Sequence, residues 1–127
     1  MNVLIESLTH LGMGRGSDGQ LYPRVLPDET IEVDDGDYRI LTPSKYRVAA
    51  PCSHFKSCGG CAMQHAADPF VANWKQTIVE RALSAKGLKP PFRPIHTSPS
   101  RSRRRAKFSG TRTKKGALVG FHTRASG

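Results

Sequence analysis

The chain has no hydrophobic run long enough to cross a membrane. Its first residues, Met-Asn-Val-Leu-Ile-Glu, lack the basic start and apolar stretch of a secretory signal. Aromatic residues make up only 7% of the sequence, with Trp74 the single tryptophan. At 37% hydrophobic residues the core is modest, and a metal or oligomerisation would help stabilise it. Its 127 residues hold one or two small modules, with no room for a further α/β cofactor domain of ordinary size. Cysteine is scarce too, and the count of three is odd. With no secretory signal, that favours reduced thiols or metal ligands in a cytoplasmic protein over a disulfide scaffold. Gly12, Gly14 and Gly16 do not make a Walker loop, because neither a long helix nor Gly-Lys-Ser/Thr follows them.

Acid is missing where base is densest. The formal net charge is +10, but residues 1–50 hold five basic and eight acidic side chains, whereas residues 101–127 hold nine basic and none acidic. A polyanion would therefore meet the last part of the chain first, and nucleic acid is the natural candidate. A membrane surface is the weaker reading, because the basic tract lacks a long amphipathic helix.

The first 43 residues read as short strands separated by turns. Val3, Ile5 and Leu8 alternate, and the glycines then mark a strand bend or bulge before an Asp18-Gly19 turn. Leu21, Tyr22 and Val25 resume a strand; Leu26-Pro-Asp-Glu turns; Thr30-Ile-Glu-Val and Tyr38-Arg-Ile-Leu flank a second acidic turn. Four or five such strands predict a small, OB-like β-barrel. The acidic run from Asp28 to Asp37 reads as solvated turn surface rather than a metal cage. Asp68-Pro69 then predicts a helix start, with the aspartate as cap and proline in the first turn. Phe70, Val71, Trp74, Ile78, Ala82 and Leu83 recur at helical spacing, and Gly87 supplies the stop. Trp74 reads as a packing anchor, the helix as cover over the cysteine loop, and Lys75 and Arg81 as outward-facing.

The last third predicts a basic β-hairpin, with strands over Arg105–Ser109 and Ala117–Phe121. Arg101, Arg103, Arg104, Arg105, Lys107, Arg112, Lys114 and Lys115 would form a strip for a nucleic-acid backbone. Phe108 and Phe121 are expected to pack inward, with base stacking the lesser alternative. A solvated basic tail is the plainest reading, but the interspersed strand residues argue against it. The last strand reaches Gly127 without closure and no second helix follows, which suggests a fragment.

All three cysteines fall within ten positions, in Cys52-x5-Cys58-Gly-Gly-Cys61. Gly59 and Gly60 let the Cys58/Cys61 pair bend around one centre, and Cys52 can return as a third ligand. His65 as fourth ligand would give a tetrahedral zinc site. A fourth thiolate from beyond residue 127 or from another chain would instead complete an iron–sulfur cube. Unliganded cysteines and a redox Cys58/Cys61 pair are the remaining readings.

In this order the motifs resemble the N-terminal part of bacterial 5-methyluridine RNA methyltransferases, especially the iron–sulfur 23S ribosomal RNA (uracil-5-)-methyltransferases. Leu11-Gly-Met-Gly-Arg-Gly and Leu26-Pro-Asp-Glu resemble that family's TRAM β-barrel. Cys52-x5-Cys58-Gly-Gly-Cys61-x2-Gln64-His65 resembles its cluster signature, followed by the helix with Trp74-Lys-Gln. Ser102-Arg103-Arg104-Arg105 and Gly116-Ala-Leu-Val-Gly-Phe121 resemble its central RNA-binding insertion. The resemblance implies a TRAM-like β-barrel over residues 1–43, a linker and cysteine cluster over 44–67, and part of the central RNA-binding region over 68–127. It implies that Cys52, Cys58 and Cys61 bind a [4Fe-4S] cluster whose fourth cysteine lies further along the chain, with His65 structural or near the RNA. The intact family enzyme moves a methyl group from S-adenosylmethionine to C5 of uridine after a cysteine thiolate attacks C6. Those groups sit in a C-terminal methyltransferase domain absent from this sequence, whether missing or separately encoded. The expectation is an RNA-binding chain, for ribosomal or other structured RNA, with no catalytic residue of its own.

Overall fold

The computed structural model describes residues 1–124. Its first part is an antiparallel sheet of β1 (Asn2–Leu8), β2 (Gly14–Gly16), β3 (Leu21–Tyr22), β4 (Thr30–Asp34) and β5 (Asp37–Thr42). The strand order is β3-β2-β1-β4-β5. Alternation in β1 turns Val3 and Ile5 inward, where they meet Ile31 of β4 and Val25 of the β3–β4 connection.

Gly14 and Gly16 face the same interior. A Cβ on Gly14 would lie 2.2 Å from Val25 Cγ2, and one on Gly16 would lie 2.6 Å from Val3 Cγ1. The alternating glycines are therefore core positions without room for a side chain. Register shifts between Ile5 and Ser7 and between Thr30 and Ile31 bend the sheet. The two edge strands, farthest apart in sheet order, come back together: the rings of Tyr22 and Tyr38 meet edge to face at 5.9 Å. The Tyr38 hydroxyl also donates to the Pro23 carbonyl. The sheet is thus a curled half-barrel of the small OB/TRAM-like kind.

The expected strand at Val25 stops earlier, because β3 ends at Tyr22 and Val25 plugs the core from a loop. One acid of the supposedly solvated run is also an exception. Glu29 is fully buried. Its Oε1 accepts from Leu26 N at 2.6 Å and Arg47 Nη2 at 2.8 Å, and its Oε2 from Arg47 Nε at 2.6 Å and Ser44 N at 3.1 Å. Arg47 Nη2 also donates to Arg24 O at 2.8 Å. The pair fastens the chain leaving β5 back onto the barrel. Burial raises the Glu29 carboxyl pKa, but the Arg47, Ser44 and Leu26 donors outweigh it and hold the group below its ordinary value.

Helix α1 (Asp68–Ser84) begins as the Asp-Pro signal predicts, but its cap is Ala67, with no side-chain cap bond. Asp68 lies within the first turn, where its charge meets the helix dipole directly. At the other end Gly87 adopts φ +74° and Leu88 N donates to Leu83 O at 3.0 Å. No residue of α1 is fully buried. Its apolar stripe rests on loops: the Phe70 ring meets Tyr46 at 5.2 Å, and half-buried Trp74 lies beside Gly12. Lys75 and Arg81 are exposed, as expected.

The second sheet is a hairpin of β6 (Ser109–Thr113) and β7 (Gly116–Gly120). The first strand sits four residues later than the sequence suggests. Residues Arg105 to Phe108 run without regular structure, and the expected connection supplies β6 itself. Thr113 pairs with Gly116, leaving Lys114-Lys115 as a two-residue turn. The expected open end at Gly127 lies outside the described residues.

Candidate nucleic-acid interface

The cysteine loop is pinned at its base by main-chain pairing. Arg47 and Ala66 form an isolated bridge, Val48 N donates to His65 O at 3.0 Å and Ala67 N to Tyr46 O at 2.8 Å. His65 is buried, and its Nε2 lies 3.2 Å from Val25 O. A carbonyl only accepts, so Nε2 carries the proton and Nδ1 keeps a lone pair, buried with no hydrogen-bond partner among the described residues. Burial lowers the imidazole pKa and keeps the ring neutral.

Phe55 stacks on His65 with ring centroids 5.7 Å apart. On the side of Phe55 reached by the last described residues lies Arg124, its guanidinium 4.9 Å from the ring centroid. Arg124 Nη2 donates to Phe55 O at 2.6 Å and to Cys61 O at 2.8 Å. Its main chain joins in: Arg124 N donates to Ser57 O at 2.6 Å, Gly59 N to His122 O at 2.8 Å, and Cys58 bridges Thr123. Arg124 is outside the expected basic strip, and nothing in the sequence distinguishes it from its basic neighbours. Its role depends on the hairpin returning to the loop.

The cysteines form no disulfide; Cys52 and Cys61 are exposed and Cys58 is half-buried. The helix therefore does not cover the loop as expected. Gly60 N donates to Cys58 Sγ at 3.3 Å, and Cys52 N to Gln64 Oε1 at 3.1 Å. Three thiols are suitable donors for zinc or an iron–sulfur cluster. Among the described residues, however, no three His, Cys, Asp or Glu side chains stand where they could hold a metal, and His65 joins no such group. In this arrangement the donor chemistry fits a metal and the geometry does not.

The eight basic residues of the expected strip are all exposed. Arg101, Arg103, Arg104, Arg105 and Lys107 are exposed along the segment entering the hairpin, Arg112 on β6 and Lys114 and Lys115 in its turn. Among the described residues, none of the eight takes part in an ion pair. Arg101 holds φ +61° in a turn that Ser102 Oγ closes onto Pro99 O at 2.5 Å. From there Arg101 and Arg103 line a groove of about 1120 Å³ together with Trp74, Lys75, Met63 and Cys61. Phe108 and Phe121 do not pack inward. Both are exposed and rest on each other, with centroids 5.0 Å apart.

No family model matches the chain. Individual bacterial proteins do. An uncharacterized RNA methyltransferase of Brucella suis is 36% identical over 121 residues, covering 91% of this chain and 29% of the relative. One from Caulobacter vibrioides is 39% identical over 125 residues, covering 91% and 30% respectively. The chain is homologous to bacterial RNA methyltransferases. A further methyltransferase relative has a more specific name: the 23S rRNA (uracil(1939)-C(5))-methyltransferase RlmD of Bordetella parapertussis, 42% identical over 92 residues, covering 68% of this chain and 20% of the relative. The chain thus spans about three tenths of the length of the first two methyltransferases. No helix among its described residues is long and apolar enough to cross a membrane.

Proposed function

We propose that this chain is the RNA-binding segment of an S-adenosylmethionine-dependent uridine-C5 RNA methyltransferase, acting on ribosomal or other structured RNA in the cytoplasm. The reading rests above all on the basic residues from Arg101 to Lys115, exposed with no ion-pair partner among the described residues, in a chain homologous to RNA methyltransferases. Unneutralised guanidinium and ammonium groups on an extended segment match the spaced charges of a phosphate backbone, and binding releases its counterions. Residues 1–43 form the barrel unit, 44–67 the linker and cysteine loop, and 68–127 the RNA-binding region. Methyl transfer and S-adenosylmethionine binding belong to a catalytic portion outside these residues.

Cys52, Cys58 and Cys61 would supply three thiolates to a [4Fe-4S] cluster, with the fourth from outside the chain. Such a cluster would fasten the loop, since moving a methyl group to uridine requires no electron transfer. Zinc held by the same thiolates and His65 is the alternative. It would have to take Nδ1, which is buried with no hydrogen-bond partner among the described residues, since Nε2 is fixed on a carbonyl, and the loop would have to rearrange to bring the thiolates to it.

RNA affinity measured against salt concentration tests the main reading. Replacing Arg103, Arg104 and Arg105 together by glutamine should weaken binding of a uridine-containing hairpin RNA. It should also flatten the salt dependence by about one unit of slope for each phosphate left without its cation. Unchanged affinity and slope would refute the basic-strip reading.

A further inference from the structure

We infer that Phe108 and Phe121 form a stacking platform for an unpaired RNA base, with the Arg103 guanidinium closing one side. This deepens the RNA-binding proposal and depends on it. Phe108 immediately precedes β6 and Phe121 immediately follows β7, so pairing of Ser109 with Gly120 sets the two rings side by side at the open end of the hairpin. They are 56% and 43% exposed, with centroids 5.0 Å apart and planes 58° apart. About half of each ring residue is left in water, and the two exposed halves together make an apolar surface free for a ligand.

Three observations specify what would use it. Arg103 stands with its guanidinium carbon 6.0 Å from the Phe121 centroid, a cation beside the rings that would attract the phosphate of a stacked nucleotide. Residues 101–127 carry nine basic and no acidic side chains, so the charge around the rings complements a polyanion. The platform also has a fixed base. A Cβ on Gly60 would come within 3.2 Å of Phe121 Cγ and Cδ2, so that ring rests directly on the cysteine loop. Ser109 Oγ lies 2.7 Å from His122 Nε2, tying the hairpin's ends together. Stacking is open to any base but requires that base to be out of a duplex, so the ligand class is single-stranded or looped RNA.

The test uses the full chain and two RNAs of equal length, a single-stranded oligouridylate carrying one 2-aminopurine and a fully paired duplex. Phe108→Ala should weaken single-strand binding about tenfold, within the range of one lost base stack, and should abolish 2-aminopurine quenching. Its salt slope and its duplex affinity should stay as in the wild type, because no charge is removed. Phe108→Trp should restore both affinity and quenching. Phe108 is the safer position because Phe121 also packs on Gly60. If Phe108→Ala leaves affinity and quenching unchanged while the salt slope persists, the platform is refuted and phosphate binding stands; the rings would then be free for a protein partner. If the wild type binds neither RNA in a salt-dependent way, the RNA-binding reading itself fails.

Discussion

Glycine at 14 is decided by a single missing carbon. Gly14→Ala would drive a methyl group to 2.2 Å from Val25 Cγ2 and 3.0 Å from Ile5 Cγ2, inside the small core. Overpacking of this kind costs about 3 kcal/mol. Urea unfolding should show the loss as a lowered midpoint. Gly120→Ala, where a Cβ meets nothing within 4 Å, should stay within about 0.5 kcal/mol of the wild type. The sequence shows Gly12, Gly14 and Gly16 as punctuation at a bend or bulge, whereas only Gly12 sits in the bend, Gly14 and Gly16 lie inside β2, and the register shift falls opposite them in β1. It does not show that two of them point into the core, because that depends on which strand lies across from them.

At the scale of the element, the cysteine loop has few main-chain bonds of its own and borrows its order from both neighbours. His65 anchors it to Val25 of the barrel, and Arg124 ties Phe55 and Cys61 to the hairpin's exit. A metal drawn in by Cys52, Cys58 and Cys61 would therefore tighten the joint between barrel and hairpin. Anaerobic reconstitution with iron and sulfide should give visible thiolate-to-iron absorption that Cys58→Ser diminishes and His65→Ala leaves intact. Tightly bound zinc instead, lost on His65→Ala, would overturn the cluster reading. The hairpin itself was legible, but its register was not. Arg105–Ser109 has strand-like composition, yet Gly116 at φ +152° helps set the turn at Lys114-Lys115. Pairing outward from that turn places β6 at Ser109–Thr113, beyond most of the segment whose composition suggested a strand.

For the molecule as a whole, the Glu29–Arg47 pair holds the barrel to everything that follows. Its pH dependence follows from the lowered carboxyl pKa of Glu29. A depressed carboxylate pKa means stability that is fully present above the ordinary value of 4.5 and lost as the pH falls through the lower folded value. Acid unfolding should accordingly begin below that ordinary value. Glu29→Gln should cost about 3–5 kcal/mol at neutral pH, by leaving Arg47 without its buried partner, and should flatten the acid limb. Thermal melts across pH would show both; an unchanged acid limb would mean that other carboxylates control it.

The sequence by itself determined the strand-and-turn pattern of the barrel, the helix with its proline start and glycine stop, the clustering of the thiols and the basic final third. All of these are local: they follow from alternation, helical spacing and charge along the chain. Only the tertiary structure decided that Glu29 is buried while Asp28, Asp34, Asp35 and Asp37 are exposed, that Arg124 reaches Phe55, 69 residues away, and that Phe108 and Phe121 share a surface instead of a core. The physical reason is the same in each case. Burial, pairing and exposure depend on which distant segment packs against a residue, and composition along the chain does not encode that neighbour.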